Sequence, residues 1–168
     1  SERRGYALEL AVDFIRMKQE RESFWRIDTS KPVVAIKNQT LDEVIGTWPK
    51  NNIPVRIGDY MFRPHQRWTI TPVAEAGGTL CGPYFKIIIE GTERALAATA
   101  DKELTTVPVF SGTDEQLWRI EQLTDGTFRI MPKAIPGQVG LNTKYVLYSI
   151  ADSTPTLAEY DFNSDNSK

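Results

Sequence analysis

The chain has 168 residues, 40% of them hydrophobic and 25% charged, a composition typical of one globular domain rather than a disordered or fibrous protein. Its formal net charge of −2 provides no overall basic field, so we expect no nucleic-acid partner. No apolar run approaches the roughly 20 residues of a membrane span, and the N-terminus lacks the pattern of a signal peptide. Together with the single cysteine, Cys81, which fits a reducing compartment, this predicts a cytoplasmic protein without a membrane partner.

The N-terminal segment carries the one helical pattern of the chain. Leu8, Phe14 and Ile15 recur at helical spacing among charged residues, which predicts an amphipathic helix over residues 1–22. Such a helix would pack against the rest of the domain or against a neighbouring chain. Residues 23–168 are then expected to form the main domain.

After the helix the sequence changes to short runs rich in β-branched and aromatic residues. KPVVAIKNQ, YFKIIIEG and KYVLYSIA are examples, and Gly, Pro, Asn and Asp separate them. Short runs bounded by turn residues are typical of strands, so the sequence predicts an all-β domain.

Three of these runs share a Trp-x-Ile pattern. SFWRID, QRWTITP and QLWRIEQL contain Trp25, Trp68 and Trp118, each two residues before an isoleucine, so both side chains should face one side of a strand and be buried together. Three further strands can be laid out in each interval, which makes three repeats of four strands. Twelve strands in three repeats predict a β-trefoil.

The third repeat lacks a closing tryptophan strand after it in the sequence. SFWRID, which holds Trp25, can supply that strand, and we expect it to pair near the C-terminus as in a circularly permuted trefoil. Closure of this kind would remove an exposed sheet edge. An extra strand at SFWRID, or a different all-β fold such as a six- or seven-stranded sandwich or a two-sheet barrel, stays open at this point.

A search for catalytic or metal-binding chemistry is negative. The single histidine, His65, lies in RPHQRW without a second histidine or a CxxC motif, and the common hydrolase, nucleotide and dinucleotide loops are absent. Cys81 lies in a Gly-Pro turn rather than at a helix N-terminus that would lower its pKa. We therefore expect a non-catalytic protein without metal or cofactor, in which His65 is structural.

Two Gln-x-Trp tripeptides, at 66–68 and 116–118, resemble the motif of ricin-B-type lectins. In that family the tripeptide is structural, and sugar is held by an Asp on an earlier strand, an aromatic residue and an Asn or His near the Gln. The resemblance implies the last role for His65 and Asp114. The corresponding runs here are VIGTWPK, ALAATADK and VLYSIAD. None of them is the Asp-containing apolar strand that the family's site requires.

The main domain also resembles mushroom β-trefoil proteins, which include cytosolic lectins and cospin-type serine protease inhibitors. GPYFKIIIEG, ALAATADKELTTVPV and QLWRIEQLTDGTFRI carry this resemblance, with the family's opening unit here in the middle. An inhibitory Arg of that family, in the loop between the second and third strands of the unit, corresponds to Lys102, between Asp101 and Glu103. The resemblance thus implies binding to a trypsin-like serine protease, whose acidic primary pocket would pair with a buried ammonium.

Glycan binding is the alternative to protease inhibition. Aromatic faces stack on sugars and amides bond their hydroxyl groups, so the candidates are Trp48 and, in the third repeat, Asn142, Tyr145, Tyr148 and Tyr160. Trp48 lies beside a turn in GTWPKNN, where we expect it to be more exposed than the tyrosines. A third hypothesis is an interaction module that docks a partner through the N-terminal helix. The inhibitor is the leading hypothesis at this point.

Overall fold

The computed structural model describes most of the main domain, namely residues 23–76, 78–79, 82–138, 144–149 and 154–160. The helix predicted over residues 1–22 lies outside the described residues, as do Cys81 and Asn142. The described residues form strands and three short 3-10 helices, Pro64–Gln66, Ala74–Ala76 and Asp114–Gln116. The prediction of an all-β domain is therefore confirmed for this part of the chain.

Fourteen strands are formed within the described residues. They are β1 (Trp25–Ile27), β2 (Ile36–Asn38), β3 (Val44–Thr47), β4 (Val55–Gly58), β5 (Trp68–Pro72), β6 (Gly78–Thr79), β7 (Gly82–Pro83), β8 (Phe85–Ile89), β9 (Ala95–Ala98), β10 (Leu104–Val107), β11 (Trp118–Gln122), β12 (Phe128–Pro132), β13 (Lys144–Tyr148) and β14 (Thr156–Tyr160). Each run named from the sequence contains one of them.

Six of these strands form a closed barrel. β5, β8, β11, β12, β1 and β2 pair in that order, and every pair is antiparallel. The ring closes between β2 and β5, where the backbones of Val34 and Trp68 exchange hydrogen bonds of 2.9 and 2.8 Å. A closed barrel leaves no exposed edge of its own.

Three hairpins cover one end of the barrel. They consist of β3 with β4, β9 with β10, and β13 with β14. Neighbouring hairpins are joined by single bridges, Pro54 to Thr105 and Glu103 to Thr156. A six-stranded barrel with three hairpins is the architecture of a β-trefoil, and it excludes the sandwich alternative.

The first unit comprises β2 to β5 and the second unit comprises β8 to β11, and one tryptophan contact joins barrel to hairpin in both. The indole Nε1 of Trp68 donates to the carbonyl oxygen of Ile45 at 3.2 Å, and that of Trp118 donates to Leu96 at 2.9 Å. Both indoles are fully buried. The hydrogen bond therefore fixes the position of each hairpin relative to its barrel strand.

The third unit comprises β12, β13, β14 and, from the other end of the sequence, β1. Trp25 pairs with Phe128 of β12, and its indole Nε1 donates to the carbonyl of Leu147 at 3.0 Å, across 122 residues of sequence. This contact is the equivalent of those in the other two units. The prediction that the Trp25 strand closes the third unit is confirmed.

The isoleucines of the Trp-x-Ile pattern are less buried than the sequence indicated. Ile27, Ile70 and Ile120 are only partly buried against the core, whereas the three tryptophans are fully buried. Each isoleucine lies further along its strand, toward the barrel end that the hairpins do not cover. The prediction that tryptophan and isoleucine are buried together is therefore confirmed for the tryptophans and only in part for the isoleucines.

The closing role of Trp25 is testable by comparison with Trp118. Replacing Trp25 by phenylalanine is expected to lower the free energy of unfolding by about 2–4 kcal/mol, because it leaves the Leu147 carbonyl unpaired and opens a cavity. Trp118→Phe should cost a similar amount, since it breaks the equivalent contact. Urea denaturation of both variants measures this, and a cost below about 0.5 kcal/mol for Trp25→Phe alone would mark β1 as a peripheral strand.

Candidate functional site

A groove of about 170 Å³ lies beside the hairpin of the first unit. Its walls come from β3, β4 and the 3-10 helix Pro64–Gln66. Trp48, Arg56 and His65 all line it. The structure thus brings together one exposed aromatic ring, one guanidinium and the single histidine of the chain.

The glutamine of each Gln-x-Trp tripeptide holds the loop before the tryptophan strand. Gln66 Oε1 accepts from the Met61 backbone N–H at 2.8 Å, and its Nε2 donates to the Asp59 carbonyl at 2.8 Å. Gln116 repeats this with Ser111, accepting from its N–H at 2.8 Å and donating to its hydroxyl at 3.0 Å. Both glutamines are buried, and their hydrogen bonds fix the position of these loops.

A close approach between β3 and the 3-10 helix shapes the base of the groove. A Cβ atom at Gly46 would lie 2.9 Å from Cγ of Gln66 and 3.1 Å from the carbonyl oxygen of His65. Only glycine allows this distance without displacing the helix. The sequence at this position therefore determines where His65 stands relative to β3.

Trp48 is held at the start of the hairpin turn with a large part of its surface in solvent. Its backbone N–H donates to the Pro54 carbonyl at 3.1 Å, and its own carbonyl accepts from the N–H of Asn52 at 2.8 Å. The Arg56 guanidinium lies 5.1 Å from the centre of the indole ring, a cation–π distance. The side chain remains 46% exposed, which confirms the exposure expected from the sequence.

The groove is cationic at neutral pH. Burial, and then the positive charge of Arg63, lower the pKa of His65 below its usual 6.5, so the imidazole is neutral at pH 7. Arg56 is charged, and no carboxylate lines the groove among the described residues. The arrangement therefore suits a ligand that carries negative charge.

The second unit lacks these groove residues at equivalent positions. β9 and β10 place Thr105 where the first unit has Arg56, as the pairings of the two hairpins show. The residue three positions before the buried tryptophan is His65 in the first unit and Glu115 in the second. The residue three positions after the carbonyl that accepts from the indole is the exposed tryptophan in the first unit and Thr99 in the second. The repeated frame is common to both units, whereas the groove belongs to the first.

Asp114, the other residue matched to the lectin role beside the glutamine, is engaged in an ion pair. Its carboxylate lies 3.4 Å from Nζ of Lys133, and that ammonium stands 5.0 Å from the ring centre of Tyr84. The side chain of Asp114 is largely exposed. It lies in the second unit and does not line the groove.

Lys102, the predicted protease-binding residue, lies in the turn between β9 and β10, as the sequence indicated. Its φ of +61° is left-handed, its N–H donates to the Thr99 carbonyl at 3.0 Å, and its carbonyl accepts from the Leu157 N–H at 2.8 Å. Its Nζ lies 5.3 Å from the ring centre of Tyr145. The turn is therefore compact and tied to the third unit.

The flanking residues of that turn are more accessible. Asp101 and Glu103 are exposed, and the backbone of Glu103 bridges Thr156. The N–H of Glu103 donates to the Thr99 hydroxyl at 3.1 Å, which restrains the backbone from extending. These contacts hold residues 101–103 in a turn rather than in an extended strand.

The aromatic residues proposed for glycan binding in the third unit do not join Trp48. Tyr145 and Tyr148 lie in β13, both partly buried, and their spacing puts them on opposite faces of the strand. Tyr160 belongs to β14. Tyr145 instead lies beside Lys102, so two residues predicted for different functions are neighbours.

Arg56 was missed by the sequence analysis. It alternates with Val55 and Ile57 in NIPVRIG, which marks it as an outward-facing residue of a strand. Its proximity to Trp48 depends on the pairing of Arg56 with Gly46 across the hairpin. A sequence search for charged residues diagonally across a hairpin from an exposed aromatic would have found it.

No three His, Cys, Asp or Glu side chains converge as a metal site among the described residues. No helix in the described ranges has the length and apolar character needed to cross a membrane.

Comparison with solved structures finds neighbours with this fold. The designed 3-fold symmetric protein ThreeFoil is similar over 83% of this chain and 90% of its own, with a TM-score of 0.54. The chain is a β-trefoil. The sequence identity is 14%, so the likeness extends to the fold alone. No protein-family model matches the sequence, and no curated protein matches it.

The close approach at Gly46 can be tested against Gly58, which lines the same groove. Gly46→Ala is expected to lower the free energy of unfolding by about 1–3 kcal/mol, because the added methyl meets Gln66 and the His65 backbone. Gly58→Ala should change it by less than about 0.5 kcal/mol, since nothing lies within 4 Å of the added atom. Denaturant unfolding of the two variants measures the difference, and equal costs would contradict this account of the groove.

Proposed function

We propose that the protein is a non-catalytic, carbohydrate-binding β-trefoil related to ricin-B-type lectins, with its binding site in the groove of the first unit. The observation that carries the proposal is the convergence of Trp48, Arg56 and His65 in that groove. Buried frame residues recur between units, whereas these three do not. Side chains that depart from the repeat at an accessible concave surface are the ones expected to serve a ligand.

The chemistry of the groove favours an acidic sugar. The exposed indole of Trp48 offers an apolar surface for the C–H face of a pyranose ring. The Arg56 guanidinium can donate two parallel hydrogen bonds to a carboxylate or sulfate group. A neutral His65 can donate one hydrogen bond and accept another from sugar hydroxyls. Uronic acids, sialic acids and sulfated sugars each carry a C–H face, an acidic group and hydroxyls, which are the partners that these three side chains require.

Departure from the galactose-binding pattern supports the same choice. The ricin-B-type site uses an Asp from an earlier strand to accept hydrogen bonds from neutral sugar hydroxyls, and no carboxylate lines this groove among the described residues. This groove has the positive charge of Arg56, whereas the ricin-B-type site has the negative charge of that Asp. A ligand that brings its own negative charge would complement the groove, whereas a neutral galactoside would lack its principal acceptor.

A glycan array with acidic and neutral glycans tests this proposal. We expect binding to acidic glycans and little or none to neutral galactosides. Calorimetry with the best array ligand should show at least about tenfold weaker binding for Trp48→Ala and for Arg56→Gln, equivalent to about 1.4 kcal/mol. Arg26→Gln is the matched control, because it removes one exposed guanidinium, paired with Asp42 at 2.7 Å, outside the groove lining.

The result that would overturn the lectin proposal is equally definite. Silence across both glycan classes, with the protein shown to be folded by thermal unfolding, would remove it. Binding that Trp48→Ala and Arg56→Gln leave unchanged would move the glycan site elsewhere, and the Tyr145 surface of the third unit would then be the next candidate.

Protease inhibition through Lys102 is the second candidate. The position of Lys102 between the second and third strands of its unit, with exposed neighbours Asp101 and Glu103, agrees with the resemblance that suggested it. Substrate-like inhibitors present an extended segment whose carbonyl enters an oxyanion hole. Here that carbonyl accepts from Leu157 and the backbone is left-handed, so the turn would have to open first.

A trypsin assay separates the two candidates. Because the Lys102 turn is tied to Leu157, we expect equimolar protein to leave trypsin activity unchanged. If the protein does inhibit trypsin, and Lys102→Ala abolishes this inhibition whereas Lys50→Ala preserves it, protease inhibition would replace glycan binding as the proposed function. Lys50 is a suitable control because it is an exposed lysine in the turn of a different hairpin.

Other hypotheses from the sequence remain predictions. Membership of the mushroom β-trefoil group, with its units in circularly permuted order, and a cytoplasmic location are part of the proposal. Docking of a partner through residues 1–22 concerns residues outside those described.

A further inference from the structure

The barrel end opposite the hairpins contains an apolar bowl of about 290 Å³. Ile27, Ile70 and Ile120 contribute one side chain from each Trp-x-Ile strand, and Phe85 and Phe128 are the aromatic residues of its lining. This volume is near the lower limit of small-molecule pockets, about 300 Å³. The bowl is therefore large enough for a small ligand or an alkyl chain.

The three anchor tryptophans lie one layer further into the barrel than the isoleucines of the bowl. Trp25, Trp68 and Trp118 have no exposed surface, and side chains two residues further along a strand point to the same side. The isoleucines thus form the next layer outward, and they remain partly buried. Since the tryptophan layer is tightly packed, the bowl is a preformed concavity that ends at a fixed wall.

One charged residue, Lys31, lines the bowl among the described residues. Its side chain is 69% exposed, and its Nζ is 3.7 Å from Oδ2 of Asp28, longer than a good hydrogen bond. Asp28 directs its other oxygen to Ser30, which donates through its hydroxyl at 2.6 Å and its N–H at 3.1 Å. The Lys31 ammonium is therefore able to turn toward a ligand at the rim.

We propose that the bowl binds a single-chain anionic amphiphile, such as a medium-chain fatty acid. Its hydrocarbon chain would pack against the isoleucine and phenylalanine side chains, which are the main apolar surface of the lining. Its carboxylate would meet Lys31 at the rim. An apolar concavity with one cation at its edge matches one anionic head group and one alkyl chain, and the site is independent of the proposed glycan groove.

Buried tryptophans make this binding measurable in the intact chain. Trp48→Phe removes the exposed indole, so the emission then comes from the three buried anchors, each two residues from an isoleucine of the bowl. Titration with decanoate, below its micelle concentration, is expected to change this emission saturably. Decanol should bind about tenfold more weakly, because it has the same chain without the charge that pairs with Lys31.

Two variants in the same background test the two halves of the proposal. Lys31→Glu should weaken decanoate binding at least tenfold and leave decanol binding within about twofold, whereas Lys50→Glu, the same charge change outside the bowl, should affect neither. Ile120→Phe should weaken both ligands at least tenfold by filling the bowl. Thermal unfolding within a few degrees of the parent establishes that each variant is folded.

The proposal is overturned if the emission shows no saturable change with decanoate. It is also overturned if decanoate and decanol bind equally and Lys31→Glu alters neither, or if Ile120→Phe binds both as tightly as the parent does. None of these outcomes depends on glycan binding, so this site and the proposed function stand or fall separately.

Discussion

The hydrogen bond from a buried indole N–H to a hairpin carbonyl is the contact on which this structure depends. A buried tryptophan contributes a large apolar surface, but its N–H must find an acceptor or incur a desolvation cost of about 1–3 kcal/mol. Each of the three tryptophans finds that acceptor in the second strand of its unit. Any shift of a hairpin along its barrel strand would leave a donor unpaired, so the bond specifies the arrangement of both elements. For Trp25 it also unites distant parts of the sequence.

The repeated frame allows the loops to diverge, and one loop departs from the backbone preference of its sequence. Phe62 adopts a φ of +59° and is 73% exposed, while the equivalent position of the second unit, counted from the buried glutamine, is Gly112 with a φ of +83°. A bulky residue in this conformation is strained. The Gln66 side chain holds the adjoining backbone of Met61 and Asp59. The frame thus maintains a conformation that the Phe62 loop would not adopt alone.

Most of the fold was predictable from sequence because its determinants recur. Trp25, Trp68 and Trp118 mark equivalent strands, and alternation reveals the strands between them, so the closure by β1 followed from counting alone. The partial exposure of Ile120 and its counterparts did not follow. Strand alternation says which side of a strand a residue faces, but not whether that end of the barrel is covered. That depends on where the hairpins pack, which is a tertiary property.

The candidate site was less predictable, for a related reason. Trp48 was identified because its proline- and asparagine-rich surroundings indicate an exposed turn, and His65 because it precedes a Gln-x-Trp tripeptide. Their convergence with Arg56 depends on strand pairing and on the absence of a side chain at Gly46. Similarly, Lys102 occupies the expected loop, but its left-handed backbone and its contact with Leu157 arise from packing between units. Spacing predicts which element carries a residue, whereas contacts between elements decide what that residue can do.

The tryptophan layer also separates the two surfaces proposed to bind ligands. The bowl lies beyond the layer, toward the isoleucines, whereas the groove lies beside the hairpin that Trp68 holds through Ile45. Coupling between such sites requires an element with two arrangements that both ligands bias. Trp68 lies between the two sites, because its strand carries Ile70 to the bowl and its indole binds Ile45 of the hairpin beside the groove. A second arrangement of this indole would break a buried hydrogen bond and repack a side chain with no exposed surface. Because that change costs at least about 1–3 kcal/mol before any repacking, occupancy of one surface should leave affinity at the other unchanged.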